Sequence, residues 1–71
     1  MANILKNGAK IIAHKPTEYA HLRVVLCETQ REFVTWVQNL QDVERGYDGT
    51  YHGHYFEQYK SALSDFEARK A

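Results

Sequence analysis

Thr29-Gln30-Arg31-Glu32-Phe33-Val34-Thr35-Trp36-Val37-Gln38-Asn39-Leu40-Gln41-Asp42-Val43-Glu44-Arg45-Gly46 is the stretch that decides the fold, because two hydrophobic periods compete within it. Read as a helix, Thr29 and Glu32 form a capping box, Phe33, Trp36, Val37, Leu40 and Val43 fall on one stripe, and Gly46 ends the helix. Read as a strand, Phe33 to Val37 is an unbroken run of β-branched and aromatic residues, and Glu28 to Arg31 makes the hairpin connection from the strand before it. Local pattern alone leaves the two readings close to even.

The surrounding sequence is clearer. Upstream, His21 to Cys27 alternates Leu22, Val24 and Leu26 with Arg23, Val25 and Cys27. That is a strand whose second face is only partly polar, so it sits centrally in a sheet with something partly covering Val25 and Cys27. Pro16, the only proline, suits the exit from an earlier strand. Earlier still, Asn7-Gly8 lies between Ile4-Leu5 and Ile11-Ile12. These two residues tolerate the positive φ angles of a tight turn, which predicts a β-hairpin over 3–14. Downstream, Gly46, Gly49 and Gly53 read as loop. Tyr55, Phe56, Tyr59, Leu63 and Phe66 then recur at three- and four-residue spacing, which predicts an amphipathic helix over 55–70, long enough to cover one face of a sheet.

Composition bounds the rest. Seventy-one residues with 44% hydrophobic side chains allow one small domain over 1–71, with enough apolar material for a single core. A domain this short buries only about 60% of the surface its unfolded chain exposes, so its stability is marginal. Net charge is zero, but residues 1–27 carry +3 and residues 28–71 carry −3. The balance lacks the basic footprint of a protein that grips nucleic-acid phosphates. A single cysteine, Cys27, allows no internal disulfide and points to a reducing compartment, with the cytoplasm as the expected location. No run approaches the roughly 18 apolar residues of a membrane span, and Met1 to Lys10 lacks the apolar stretch of a secretory signal.

Val25-Leu26-Cys27-Glu28-Thr29-Gln30 with Phe33-Val34-Thr35-Trp36, then Gly53-His54-Tyr55-Phe56 and Asp65-Phe66-Glu67, resembles a set of small proteins encoded by phages and other mobile elements. In these a valine-threonine-tryptophan strand precedes a loop, a glycine-histidine-tyrosine-phenylalanine helix start and an acidic-aromatic-acidic helix end. The likeness covers about two-thirds of the chain through short motifs. It implies a strand over 31–38 followed by an irregular loop over 39–53, although Gln38 to Arg45, free of proline, departs from that pattern. It also implies binding to a host protein inside the host cell, with inhibition of host defence, anti-CRISPR action included, as the expected outcome.

Candidate chemistry is sparse. His52-Gly53-His54 offers two metal ligands, with His14, His21, Cys27 and Asp48 as possible additions, but zinc sites show paired ligands at both ends of the binding segment and only one pair is present. No metal and no other cofactor is expected. Cys27 lies within a predicted strand, as a buried and inert thiol does, and the acidic pairs Asp42 with Glu44 and Asp65 with Glu67 fall where water screens them. No enzymatic activity is expected.

The aromatics exceed what one small core needs. Phe56, Tyr59, Leu63 and Phe66 form the expected core face of the helix, with Trp36 packed against them. Tyr47 and Tyr51 lie outside either apolar pattern and read as interface anchors, since tyrosine contributes much contact area at low rotamer entropy. The resulting expectation is an α+β domain: an antiparallel sheet of about four strands (the hairpin 3–14 and strands 21–28 and 31–38) covered on one face by the C-terminal helix. Its short edges are unprotected, and its second face is open for a host partner or a second copy of the chain. Partner contact is assigned to Tyr47, Tyr51, Trp36, Asp42, Glu44 and Asp48. The rival reading, a nucleic-acid surface, uses Lys6, Lys10, Lys15 and Arg23 against phosphates.

Overall fold

A computed structural model of the chain describes residues 4–70. It contains β1 (Lys10–Pro16), β2 (Leu22–Glu28), β3 (Phe33–Asn39), a short helix α1 (Leu40–Glu44), β4 (Thr50–Phe56) and α2 (Tyr59–Ala68). The four strands form one antiparallel sheet in the order β1-β2-β3-β4, and α2 packs on one face of it. The fold is α+β, as the sequence predicts.

The contested stretch is a strand over Phe33–Asn39, with a short helix only after it, at Leu40–Glu44. Val34 to Gln38 are all buried, and a strand covered on both faces reads as a continuous apolar run. Thr29 and Glu32 make half of a capping box, the Thr29 hydroxyl on Glu32 N–H, but the Glu32 backbone carbonyl rather than its side chain answers Thr29 N–H, and the pair closes the β2–β3 turn. The Thr29 hydroxyl accepts from Glu32 N–H at 3.0 Å and Arg31 N–H at 3.2 Å, and Thr29 N–H donates to the Glu32 carbonyl at 2.9 Å.

Three of the expected element boundaries need correction. The turn at Asn7-Gly8 forms, with Gly8 at φ +91° and its N–H donating to the Leu5 carbonyl at 2.9 Å. Its first arm, however, makes only the isolated bridge Ile4 to Lys10 and no strand, and Asn3 lies outside the described residues. Leu5 and Ala9 are instead buried over the sheet, so this arm covers it rather than extending it. Second, the predicted loop 39–53 contains α1, whose Asn39 side chain caps Gln41 N–H at 2.9 Å. Third, the fourth strand is β4, drawn from the end of that loop and the start of the predicted helix. The apolar recurrence from Tyr55 merged two elements: Tyr55 and Phe56 face Val34 and Phe33 across β3, and α2 starts only at Tyr59.

The sheet is sandwiched between two apolar clusters. Val24 and Leu26 meet Ala62 and Phe66 of α2, with Phe33, Phe56 and Leu63 around them. On the other face Val25, Cys27, Val34 and Trp36 lie under Leu5 and Ala9. Trp36 therefore packs on the face away from α2, contrary to expectation, because strand alternation places it beside Val34 rather than with Phe33 and Thr35. The open second face expected from sequence is closed at its centre.

Both sheet edges are also better guarded than their sequence suggested. The β1–β2 register shifts between Ile11 and Ala13, and β1 ends at Pro16. In β4 one extra residue intervenes between the partners of Thr35 and Val37, and His52 adopts φ +53° there. Bulges and proline both hinder a further strand from docking.

Candidate functional site

The bulge in β4 distributes tyrosines to both sides of the edge. Cross-strand partners share a face, so Tyr55, opposite Val34, stands on the Trp36 side. One residue of offset puts Tyr51 opposite Val37, on the side of α2. Tyr47, in the loop before β4, is 67% exposed, Tyr55 60% and Tyr51 39%. Tyr55 meets Trp36 edge-on at 6.3 Å between centroids, and the Tyr51 and His52 rings lie 4.9 Å apart, tilted by 60°. Behind this surface Trp36 is only 8% exposed, so it supports Tyr55 rather than offering itself to a partner.

Of the expected contact residues, Tyr47 and Tyr51 are thus presented to solvent while Trp36 is not. The acids separate. Glu44 is exposed, Asp42 is half-buried in α1, and Asp48 holds the fold together. The Asp48 carboxylate accepts from Lys6 N–H at 2.9 Å and its carbonyl accepts from Gln38 Nε2 at 2.8 Å. Sequence reasoning missed Tyr55 as a surface residue because it was counted into the helical stripe. The glycine two residues before it was the available signal for a bulged strand.

The four bases of the rival reading are mostly engaged within the fold. Lys6 Nζ donates to the Gly46 carbonyl. Lys15 Nζ donates to the Glu67 carbonyl at 2.8 Å and lies 5.5 Å from the Phe66 ring centre. Arg23 Nε donates to Gln38 Oε1 at 2.7 Å. Lys10 is exposed on the β1 edge.

A polar cluster joins β3, β4 and α2. The fully buried Thr35 hydroxyl donates to Asp65 Oδ2 at 2.5 Å, His54 Nδ1 lies 3.0 and 3.1 Å from the two carboxylate oxygens, and Arg69 donates to the Thr35 carbonyl and hydroxyl at 3.1 Å each. Desolvation alone would raise the Asp65 carboxyl, but the Thr35 and His54 hydrogen bonds and the nearby His54 and Arg69 charges together hold it below its usual value. Burial pushes the Cys27 thiol up to about 12, against a smaller opposing pull from Arg23, so it stays protonated and unreactive at neutral pH.

Among the described residues no three His, Cys, Asp or Glu side chains converge as metal ligands, and His52 and His54 are split by the bulge. No described helix is long and apolar enough to cross a membrane. Compared with protein-family models, curated proteins and solved structures, the chain finds no match.

Proposed function

We propose that the chain acts by binding, holding a partner protein against the tyrosine-lined edge made by β4 and the loop before it. The observation that carries this reading is the exposure of Tyr47, Tyr51 and Tyr55 along one edge, with Tyr55 backed by the buried Trp36. Tyr51 and Tyr55 stand on edge strand β4 and, because of its bulge, on opposite faces of the sheet, so a bound partner straddles the edge. Rigid, amphipathic rings of this kind anchor protein interfaces. Glu44 and Asp42 on neighbouring α1 supply an acidic flank that favours encounter with a basic partner.

The resemblance to mobile-element proteins supplies the partner class. The proposed partner is a host protein, within a nucleic-acid-targeting defence complex, which the bound chain inhibits by occupying a working surface. Direct nucleic-acid binding is disfavoured because Lys6 and Lys15 are tied to backbone carbonyls of the fold, which leaves Lys10 and the terminal nitrogens of Arg23 too few to track a phosphate backbone.

The test is an affinity pulldown from host lysate with the native chain and with the Tyr47→Ala, Tyr51→Ala double variant, each followed by a melting curve. The reading expects partner capture to fall at least tenfold while the melting temperature moves by no more than a few degrees. Capture undiminished in the double variant would overturn it. A salt-sensitive shift of DNA or RNA by the native chain, lost on Lys10→Ala, would favour the nucleic-acid rival.

A further inference from the structure

Arg23 occupies an unusual position for an arginine in a small domain. It sits on central strand β2, half-buried, with Pro16 of β1 on one side and Gln38 of β3 on the other. Its Nε is held at 2.7 Å by Gln38 Oε1, and Gln38 is itself only 2% exposed and fixed by its Nε2 bond to the Asp48 carbonyl at 2.8 Å. The guanidinium plane is therefore set from below. Its two terminal nitrogens have no protein acceptor among the described residues and are not sealed from water. The one ion pair within 4 Å among those residues is His54 with Asp65, so Arg23 has no carboxylate partner even though Asp48 lies nearby; the Asp48 carboxylate is turned to the Lys6 N–H.

Space for an acceptor exists. Arg23 and His14 line a cleft of about 460 Å³ whose apolar walls include Ile4, Ile11, Val43 and Tyr47. The same two residues line a second hollow of about 290 Å³, bounded by Tyr19, Leu22 and Leu40. The larger cleft lies within the size range of specific small-ligand pockets. An unpaired, pre-oriented guanidinium thus stands between two apolar hollows, the arrangement that receives a carboxylate flanked by apolar groups.

We propose that this is a recognition site for a carboxylate of a partner polypeptide, carried by an acidic side chain or a chain terminus next to bulky apolar residues. The carboxylate takes both terminal nitrogens of Arg23, and the neighbouring apolar side chains enter the hollows on either side. A singly charged carboxylate suits the site better than a doubly charged phosphate monoester does. Lys6 keeps its charge while donating to the Gly46 carbonyl, and Asp48 contributes a negative charge to the same cleft, so that with Arg23 the fixed charges sum to a single positive one. The proposal rests on the binding reading above and adds what the partner must bring to it.

Short peptides added to the ¹⁵N-labelled full chain test the site, with the Arg23 Nε–H and the Tyr47 and Ile11 amides as reporters. The probes are Ac-Leu-Glu-Phe-NH₂ and Ac-Ala-Leu-Phe-OH, each against its uncharged match, Ac-Leu-Gln-Phe-NH₂ and Ac-Ala-Leu-Phe-NH₂. At least one acid is expected to bind about tenfold or more tightly than its match, as a charge-assisted bidentate contact requires. Which acid does so separates a side-chain source from a terminal one. Arg23→Gln is expected to abolish the preference. Equal binding of acid and match, no shift at the three reporters, or a preference that survives Arg23→Gln would each overturn the proposal. Should Arg23→Gln fail to fold, the comparison of acid with match on the native chain decides alone. Failure here leaves the tyrosine surface standing, because that surface is judged separately by a pulldown with Tyr51→Ala alone, a residue that lines neither hollow.

Discussion

At Gly53 a Cβ would lie 2.5 Å from Trp36 Nε1 and 3.0 Å from the Tyr55 hydroxyl, so the position has no room for any side chain. Trp36 cannot swing away, being packed among Val34, Cys27 and Leu5. Gly53→Ala is therefore expected to cost about 1–3 kcal/mol, the usual range for overpacking, read as a lower urea midpoint with an unchanged slope. Cys27 makes the opposite kind of prediction. Buried and protonated, it should resist a disulfide reagent such as DTNB at pH 8 in the native chain and react at once in urea; rapid native labelling would contradict its burial.

The link between α2 and the sheet has its polar centre in Asp65, which ties His54 of β4 and Thr35 of β3 to the helix. Its carboxyl is lower in the folded chain than in the unfolded one, where a value near 3.9 is expected. The unfolded chain accordingly binds more protons in acid. This contribution to stability is fully present above about pH 4 and is lost as pH falls through the lower folded value. Asp65→Asn should flatten that part of the acid-side stability curve, measured by urea midpoints from pH 2 to pH 6; an unchanged curve would place the acid sensitivity elsewhere. Thr35→Val should cost about 1–3 kcal/mol, because it removes the buried donor to Asp65 and an acceptor of Arg69. The elements themselves were unequally legible in the sequence. The alternation over Leu22 to Cys27 and the β-branched run at Phe33 to Val37 identify β2 and β3, since burial on both faces writes itself into consecutive residues. β4 was hidden because its identity comes from a long-range partner. With exposed residues at 51, 52, 54 and 55 and a glycine between, Thr50 to Phe56 has no period of its own, and only pairing with β3 makes it a strand. The Arg23 site was equally illegible: Gln38 and Asp48 meet it across strands and a loop, which no local spacing records.

For the whole molecule, the second apolar cluster matters as much as the helix-covered one, and its lid is the turn around Leu5. Leu5→Ala is expected to cost about 2–5 kcal/mol, the range for a truncated core leucine. A chain of this size holds only about 4–11 kcal/mol in total at 0.05–0.15 kcal/mol per residue, so the melting temperature should fall steeply. A small shift would show that the turn is dispensable cover. That turn is pinned by Lys6 to Asp48 and Gly46, across 42 and 40 residues of chain, whereas each neighbouring strand pair closes through a short local connection. Closing so wide a loop costs on the order of 3 kcal/mol in chain entropy before any contact repays it. During synthesis the lid therefore leaves the ribosome well before its anchor does. Until residues 46–48 have emerged, the cover over Val25, Cys27 and Val34 is held by its local bonds alone, an interval in which a chaperone or a neighbouring nascent chain has easier access to that apolar surface.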